Sequence, residues 1–395
     1  MKKKVLLAFS GGLDTSYCAV HLVKDRGFEV VAATINTGGF DEAAADQLKT
    51  KALKLGVTDY KFLDQTENFY QQGIKYLIFG NVLKNNTYPL SVSAERVFQA
   101  MALAYLAIEM EVDAIAHGST GAGNDQIRFD LIFQTICPQI EIITPIRDLA
   151  LSREEEISYL QQHGVEGLWE KALYSINQGL WGTSIGGKET LTSNGVLPEE
   201  AFPNQLQEIA SEVVEIRFEK GEPVGLNGSI MTPIDVIKRL NELGGKYAIG
   251  RDVHVGDTII GIKGRVGFEA AGPLMLIKGH HLLEKHTLSK QQLFIKDQMA
   301  AFYGSLMHEG QYLDPVMRNI EAFLISSQKN VTGTVEIRLA PYRFQLLGIQ
   351  SDFDLMQSDV ASYGETNKAW SAAEVKGFTK IFSNQTKLYY GLKDA

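Results

Sequence analysis

The sequence predicts an α/β chain: a doubly wound parallel-sheet domain, then an α+β domain and a C-terminal helix. Two observations carry this. Through the first 150 residues, strand-like apolar runs alternate with helical stretches, the pattern of a parallel sheet covered on both faces. From residue 212 the alternation gives way to hairpins and helices in mixed order. The expected units are 1–165 (the parallel-sheet domain), 166–362 (the α+β domain) and 363–395 (the C-terminal helix).

Strands are expected at 4–10 (KVLLAFS), 29–35 (EVVAATI), 59–63 (DYKFL), 113–117 (DAIAH) and 140–145 (IEIITP). Helices are expected at 13–26, where Leu13, Tyr17, Val20 and Val23 share a face, at 41–55, and at 94–110, where Val97, Met101, Ala104 and Ile108 do. Ser152-Arg153-Glu154-Glu155 is a capping-box pattern that opens a helix to about 163. Residues 174–195, rich in Gly, Ser, Thr and Asn, read as a long loop. A hairpin runs through EVVEIRFEKGEPVGLNG. Thr232-Pro233 start a helix that ends at Gly244-Gly245, with proline at its first position and glycine past its end. Helices at 289–308 and 315–328 and strands at 334–339 and 343–349 complete the second unit. The last segment, 371–392, carries Val375, Phe378, Ile381, Phe382, Leu388 and Tyr389, an apolar set expected to dock on a neighbour.

Composition narrows the function classes. The chain has 395 residues, 45% apolar and 22% charged, with a formal net charge of −9. A nucleic-acid partner is not expected, because phosphate backbones need clustered Lys and Arg and the one basic run is Lys2-Lys3-Lys4. Cys18 and Cys137 form no CxxC, which argues against disulfide scaffolds and thiolate metal sites. The apolar run after the lysines stops at Gly11-Gly12, too short for a secretory segment. No stretch reaches the ~18–20 apolar residues of a membrane span. A reducing, cytoplasmic location is expected.

The chemistry starts at AFSGGLDTS, residues 8–16, where the first strand turns into a helix. In doubly wound sheets, ligands sit beyond the carboxyl ends of the strands. Gly11 and Gly12 let the backbone approach an anion, and the following helix points free N–H groups and its positive dipole end at it. Ser10, Thr15 and Ser16 add hydroxyl donors. Asp14 either caps the helix or holds Mg²⁺ on a ligand's phosphates. A Walker A loop needs a lysine that this loop lacks. The stretch 182–188, GTSIGGK, has that spacing but continues with Glu189 and follows no apolar strand. A second constellation, HGSTGAGNDQIRFD at 117–130, follows strand 113–117. Its Arg128 suits a carboxylate, phosphate or carbonyl oxygen. Thr120, Asn124 and Asp125 offer the mixed donors and acceptors that a zwitterionic amino acid requires.

SGGLDTS resembles the phosphate loop of the PP-loop, or N-type, ATP pyrophosphatases, which hold the outer phosphates and leave the α-phosphate open to attack. Together with 117–130 it resembles argininosuccinate synthases, whose pattern is SGGLDTS followed by G-x-T-G-x-G-N-D-Q-x-R-F. The resemblance extends to Tyr88-Pro89-Leu90-Ser91-Val92-Ser93, to the serines at 175 and 184, and to the tail around 364–382. It implies ATP, with Mg²⁺, held by Ala8, Phe9, Ser10, Gly11, Gly12, Leu13, Asp14, Thr15 and Ser16, with Ile35 near the adenine and Gly118 near the nucleotide. It implies aspartate at Thr120, Asn124 and Asp125. It implies citrulline, or a relative of it, at Tyr88, Ser93, Asn124, Arg128, Ser175 and Ser184. Asp14 and Arg128 are the implied catalytic residues, the first for the metal and phosphates, the second for the ureido group. A homotetramer is the implied assembly.

Three positions depart from that pattern. Ala122 stands where the family usually has lysine. Gly256 and Phe268 stand where it has a Glu and, twelve positions on, a Tyr that hold the α-ammonium end of citrulline. Either Asp257 takes over, or the acceptor carries no ammonium there, as in an Nα-acylated citrulline. Gly179-Leu180-Trp181-Gly182 is a further place where the pocket is expected to be reshaped. Rival readings are a tRNA thiolase, which needs catalytic cysteines and a basic face, a glutamine-fed ligase, which needs a glutaminase domain ahead of the ATP loop, another PP-loop adenylating ligase, and a nucleotide sensor without catalysis. His280-His281 reads as surface loop rather than metal site, and Trp169, Trp181 and Trp370 as packing residues.

Overall fold

The computed structural model describes residues 2–165, 167, 174–357, 360, 363–364 and 368–392. Val5, Leu6 and Leu7 have no exposed surface, and β2 is buried at every residue after its first. Unbroken apolar runs of this kind suit strands covered on both faces. They form a parallel sheet of β1 (Lys4–Ala8), β2 (Glu29–Asn36), β3 (Asp59–Asp64), β4 (Ala114–Ala116) and β5 (Glu141–Ile143), in the order β3-β2-β1-β4-β5. Successive residues of β1 serve opposite cores. Val5 and Leu7 pack with Leu13, Val20 and Leu160, whereas Leu6 packs with Val31, Val97 and Leu103. The strand order reverses between β1 and β4. AFSGG and AHGSTG leave the sheet side by side at that switch point, where such sheets bind ligands.

Beyond the first sheet come β6 (Ser175–Gly179), β7 (Gly182–Gly186), β8 (Glu212–Glu219), β9 (Glu222–Leu226), β10 (Ser229–Ile230), β11 (Arg251–Asp257), β12 (Lys263–Glu269), β13 (Gly333–Ala340) and β14 (Arg343–Gln350). They make two further sheets, β10-β9-β8-β13-β14 and β11-β12-β7-β6, with antiparallel neighbours. The stretch 174–195 is therefore not one long loop. Its Gly- and Ser-rich strands owe their form to β12, which pairs Phe268 with Ser184, and not to local propensity. The helix expected from 94 starts at Ser91, because the Tyr88 hydroxyl accepts hydrogen bonds from Ser91 Oγ and Val92 N, both at 3.2 Å, in place of a side-chain cap.

His280-His281 lies in the helix Ala271–Thr287, not in a surface loop. His280 is fully buried, and burial pushes its pKa down to about 4. Beside it Lys296 Nζ meets Glu284 at 2.9 Å with neither side chain exposed, and donates to the Phe79 carbonyl at 3.0 Å. Trp181 is buried and donates to the Pro89 carbonyl at 2.8 Å, Trp370 is 53% exposed, and Trp169 lies outside the described residues. The tail forms helices Ala372–Phe382 and Asn384–Gly391, which leave Phe378, Ile381, Phe382, Leu388 and Tyr389 exposed. Among the described residues no helix is long and apolar enough to cross a membrane.

Removing one partner of a buried ion pair strands the other charge, at a cost of about 3–5 kcal/mol. Lys296→Met is expected to lower the urea midpoint accordingly, and Lys296→Met with Glu284→Gln to recover part of the loss. Equilibrium denaturation checks both.

Candidate functional site

A cleft of about 1420 Å³ opens at the carboxyl edge of the parallel sheet. From the phosphate loop it is lined by Ala8, Phe9, Ser10, Gly12, Leu13, Asp14 and Thr15, with Ile35 at the end of β2. Gly11 and Ser16 stay out of the wall. Gly11 takes φ +73°, and a Cβ there would lie 2.5 Å from Leu48 Cδ2, so both the turn and the packing require glycine. Ser16 is buried and its hydroxyl donates to the Gly12 carbonyl at 2.6 Å. The helix Leu13–Lys24 has no side-chain hydrogen bond at its N-cap, Gly12, which leaves its first N–H groups for a ligand. The loop itself lacks a lysine, yet Lys51 from the helix Glu42–Lys54 donates to the Gly11 carbonyl.

Asp14 does not cap its helix. It pairs with Glu156, whose pKa is pushed up to about 8 by burial and then by the Asp14 charge and hydrogen bond. Burial raises the Asp14 pKa as well, but the bond from Glu156 and the Arg153 charge act against that rise.

Opposite the phosphate loop stand Gly118, Thr120, Asn124, Asp125 and Arg128. The two loops are in contact: a Cβ on Gly118 would sit 3.2 Å from the Asp14 backbone. The motif divides its labour. His117 and Arg147 hold Asp130 at 2.9 and 2.7 Å, and Gln126 Nε2 donates to the carbonyls of Gly121 and Gly123, so these residues shape the loop. Asp125 Oδ1 meets Arg128 at 2.6 Å and its Oδ2 meets Arg96 at 3.0 Å. Burial opposes ionisation of Asp125, but the two guanidiniums hold its carboxyl below the usual range. Arg128, 4% exposed, also donates from Nε to the His308 carbonyl at 2.8 Å. Asn124 Oδ1 accepts from Ile259 N at 2.9 Å, which ties this loop to the β11–β12 hairpin.

The third side of the cleft is Tyr88 and Ser93 from one segment and Ser175 and Ser184 from β6 and β7. Tyr88 stacks on His254 with centroids 5.1 Å apart. Its hydroxyl oxygen already accepts two bonds, so its proton is available to a ligand. Ala122 lines the cleft, whereas none of Gly179-Leu180-Trp181-Gly182 does; the wall stops at Asn177 and Gln178 just before them. Gly179 packs directly on Glu95, where a Cβ would lie 1.6 Å from the carboxylate.

Sequence reasoning missed Glu95, Arg96, Asn177, His254 and His308, all in the wall. The one usable signal was spacing: Arg96 follows Ser93 by three residues, on the same helical face. His254 and His308 are both neutral. Burial lowers the pKa of each, His308 to about 3 with Arg128 adding to the effect, and Lys84 adds to both.

A switch-point cleft with an open helix N-terminus on one side and clustered polar and charged side chains on the other is the architecture of a nucleotide-dependent enzyme acting on small polar substrates. Comparison with known proteins makes the class specific. Residues 4–166 match the arginosuccinate synthase N-terminal HUP domain and residues 174–389 the arginosuccinate synthase C-terminal domain. The chain is 36% identical to the argininosuccinate synthase of Methanocaldococcus jannaschii over 393 residues, 98% of each chain. It is 35% identical to those of Dictyoglomus thermophilum and Prochlorococcus marinus, again over 98% of each chain. The chain belongs to the argininosuccinate synthase family, ligases of arginine biosynthesis.

Glu95 gives this site a pH signature. Burial pushes its pKa to about 8 from an ordinary 4.5, and its Oε1 has no hydrogen-bond partner among the described residues. Its proton is held more tightly in the folded chain than in the unfolded one. The resulting stabilisation is complete below pH 4.5 and is lost as pH rises through about 8. Glu95→Gln, which keeps the shape and cannot ionise, is expected to melt like the wild type at pH 5 and at least about 3 °C higher at pH 8.5. Thermal melts across pH check this.

Proposed function

We propose that the chain condenses a ureido amino acid of the citrulline type with aspartate and cleaves ATP to AMP and pyrophosphate. The observation that carries this reading is the contact between the phosphate loop and the Gly118–Arg128 loop, which opens both onto one cleft. A nucleotide and an amino acid bound there lie within reach of each other. Backbone N–H groups at Gly12–Thr15 and the hydroxyls of Ser10 and Thr15 hold the β- and γ-phosphates, so the α-phosphorus faces the acceptor wall.

Asp14 fits Mg²⁺, since it is a carboxylate in the cleft wall within the phosphate loop, and Mg²⁺ on a triphosphate usually takes only one or two protein carboxylates. Bound there, the ion would neutralise charge on the departing pyrophosphate. Arg128 orients the ureido group. The ureido oxygen attacks the α-phosphorus and pyrophosphate leaves. Thr120, Asn124 and Asp125 then hold aspartate, whose amine attacks the activated ureido carbon and expels AMP with the former ureido oxygen. No side chain forms a covalent bond, and positioning and charge stabilisation carry the rate.

The chain works as a homotetramer, with Phe378, Ile381 and Phe382 of the tail helix covered by neighbouring copies. Light scattering after gel filtration is expected to give four chains for the wild type and fewer for Phe378→Asp with Phe382→Asp.

With ATP, Mg²⁺, aspartate and a citrulline-type acceptor, AMP and pyrophosphate are expected in equal amounts, and only when the acceptor is present. ADP and orthophosphate would contradict the reading. Arg128→Ala removes charge-assisted bonds of roughly 1.5–3 kcal/mol, and kcat/KM is expected to fall about 10–100-fold or more.

A further inference from the structure

Resting on the ureido-acceptor reading above, we infer that the acceptor's α-nitrogen bears an acyl group, so that the cleft receives a neutral amide where a free amino acid would present an ammonium. The inference stands on the wall formed by β11 and β12. Gly256 lies opposite Gly264 in the antiparallel register, and both line the cleft. Opposed residues of such a pair share a face, so neither strand fills this patch with a side chain. His254 and Val266 form the next pair along, and the His254 ring leans into the space: a Cβ at 256 would lie 2.7 Å from its Nε2. On this face the surface is two bare glycines, the His254 imidazole and Val266.

The carboxylates nearest this surface, Asp257 and Asp125, are already held by cations. Asp257 also lines the cleft, but it stands one residue along the strand, on the opposite face from Gly256, and its carboxylate is bound to Lys263 at 2.5 Å. Asp125 is already shared by Arg96 and Arg128. Phe268, opposite Ser184 across the strands and 5.4 Å from the Tyr88 ring, supplies no hydroxyl. Positive charge also stands nearby. Lys84, whose Nζ donates to Ser305 Oγ at 3.2 Å, acts electrostatically on His254 and His308, and Arg128 acts on His308. An ammonium here would lose water and meet neutral imidazoles and a like charge. An amide N–H has an imidazole nitrogen as acceptor, and its acyl carbons gain the room over Gly256 and Gly264.

The test compares kcat/KM of the purified wild-type protein for citrulline, Nα-acetylcitrulline and Nα-succinylcitrulline, with saturating ATP, Mg²⁺ and aspartate and with AMP and pyrophosphate as readouts. At least one acylated acceptor is expected to exceed citrulline by tenfold or more, mainly through KM. Citrulline turned over as well as or better than both would overturn the inference and leave the ligase reading intact. AMP formation from none of the three would overturn both. Gly256→Glu, with folding checked by its thermal melt, is expected to move the preference at least tenfold toward citrulline. An unchanged preference in the folded variant would count against the inference. If that variant does not fold, the wild-type comparison decides alone.

Discussion

One carboxylate clamped between two guanidiniums sets the geometry of the cleft. Asp125 takes Arg96 on one oxygen and Arg128 on the other. Arg96 belongs to the helix Ser91–Glu109 and continues to Asn177 of β6 at 2.9 Å. Arg128 sits one turn along from Asp125 and reaches the His308 carbonyl at the end of the helix Lys290–His308. Through one anion the 117–130 loop, β6 and the end of the helix Lys290–His308 are held in a single arrangement. A partly buried cluster of this kind holds its shape only when every charge keeps its partner, which makes it a positioning device more than a source of stability.

Around this hub the protein keeps charge where the reaction needs it and removes it elsewhere. Glu156, beside Asp14, has its pKa pushed up to about 8 by burial and then by the Asp14 charge and hydrogen bond. Glu95, behind the acceptor strands, is held largely neutral near pH 7 by burial. The two imidazoles by Tyr88 are neutral as well. The net result is a cleft whose unneutralised charge is positive near Arg96 and Arg128, which favours polyanionic nucleotide and the developing negative charge of the transition state.

What the sequence revealed follows from how local each signal is. The parallel sheet was legible because strands buried on both faces are continuous apolar runs, as in Val5-Leu6-Leu7 and in 29–35. The phosphate loop and the 117–130 loop were legible because all their chemistry sits within a few consecutive residues. Arg96, His254 and His308 were not, since they come from three distant segments and only tertiary packing brings them to Arg128. Strands β6 and β7 looked like loop because glycine and serine carry no strand preference, and their order depends on β12. The helix Ala271–Thr287 escaped because it is buried nearly all round, which erases the polar stripe that marks a surface helix. Gly256 and Phe268 were visible as departures, but their meaning needed the register that sets Gly256 against Gly264 and Phe268 against Ser184.

The central claim is that the phosphate loop and the Arg128 wall present one nucleotide and one acceptor to each other, oxygen to α-phosphorus. Isotope transfer reads that event directly. With an acceptor labelled by ¹⁸O in its ureido group, single-turnover reaction followed by mass spectrometry should place the label in the phosphate of AMP. Label found in pyrophosphate or orthophosphate, with AMP unlabelled, would contradict it.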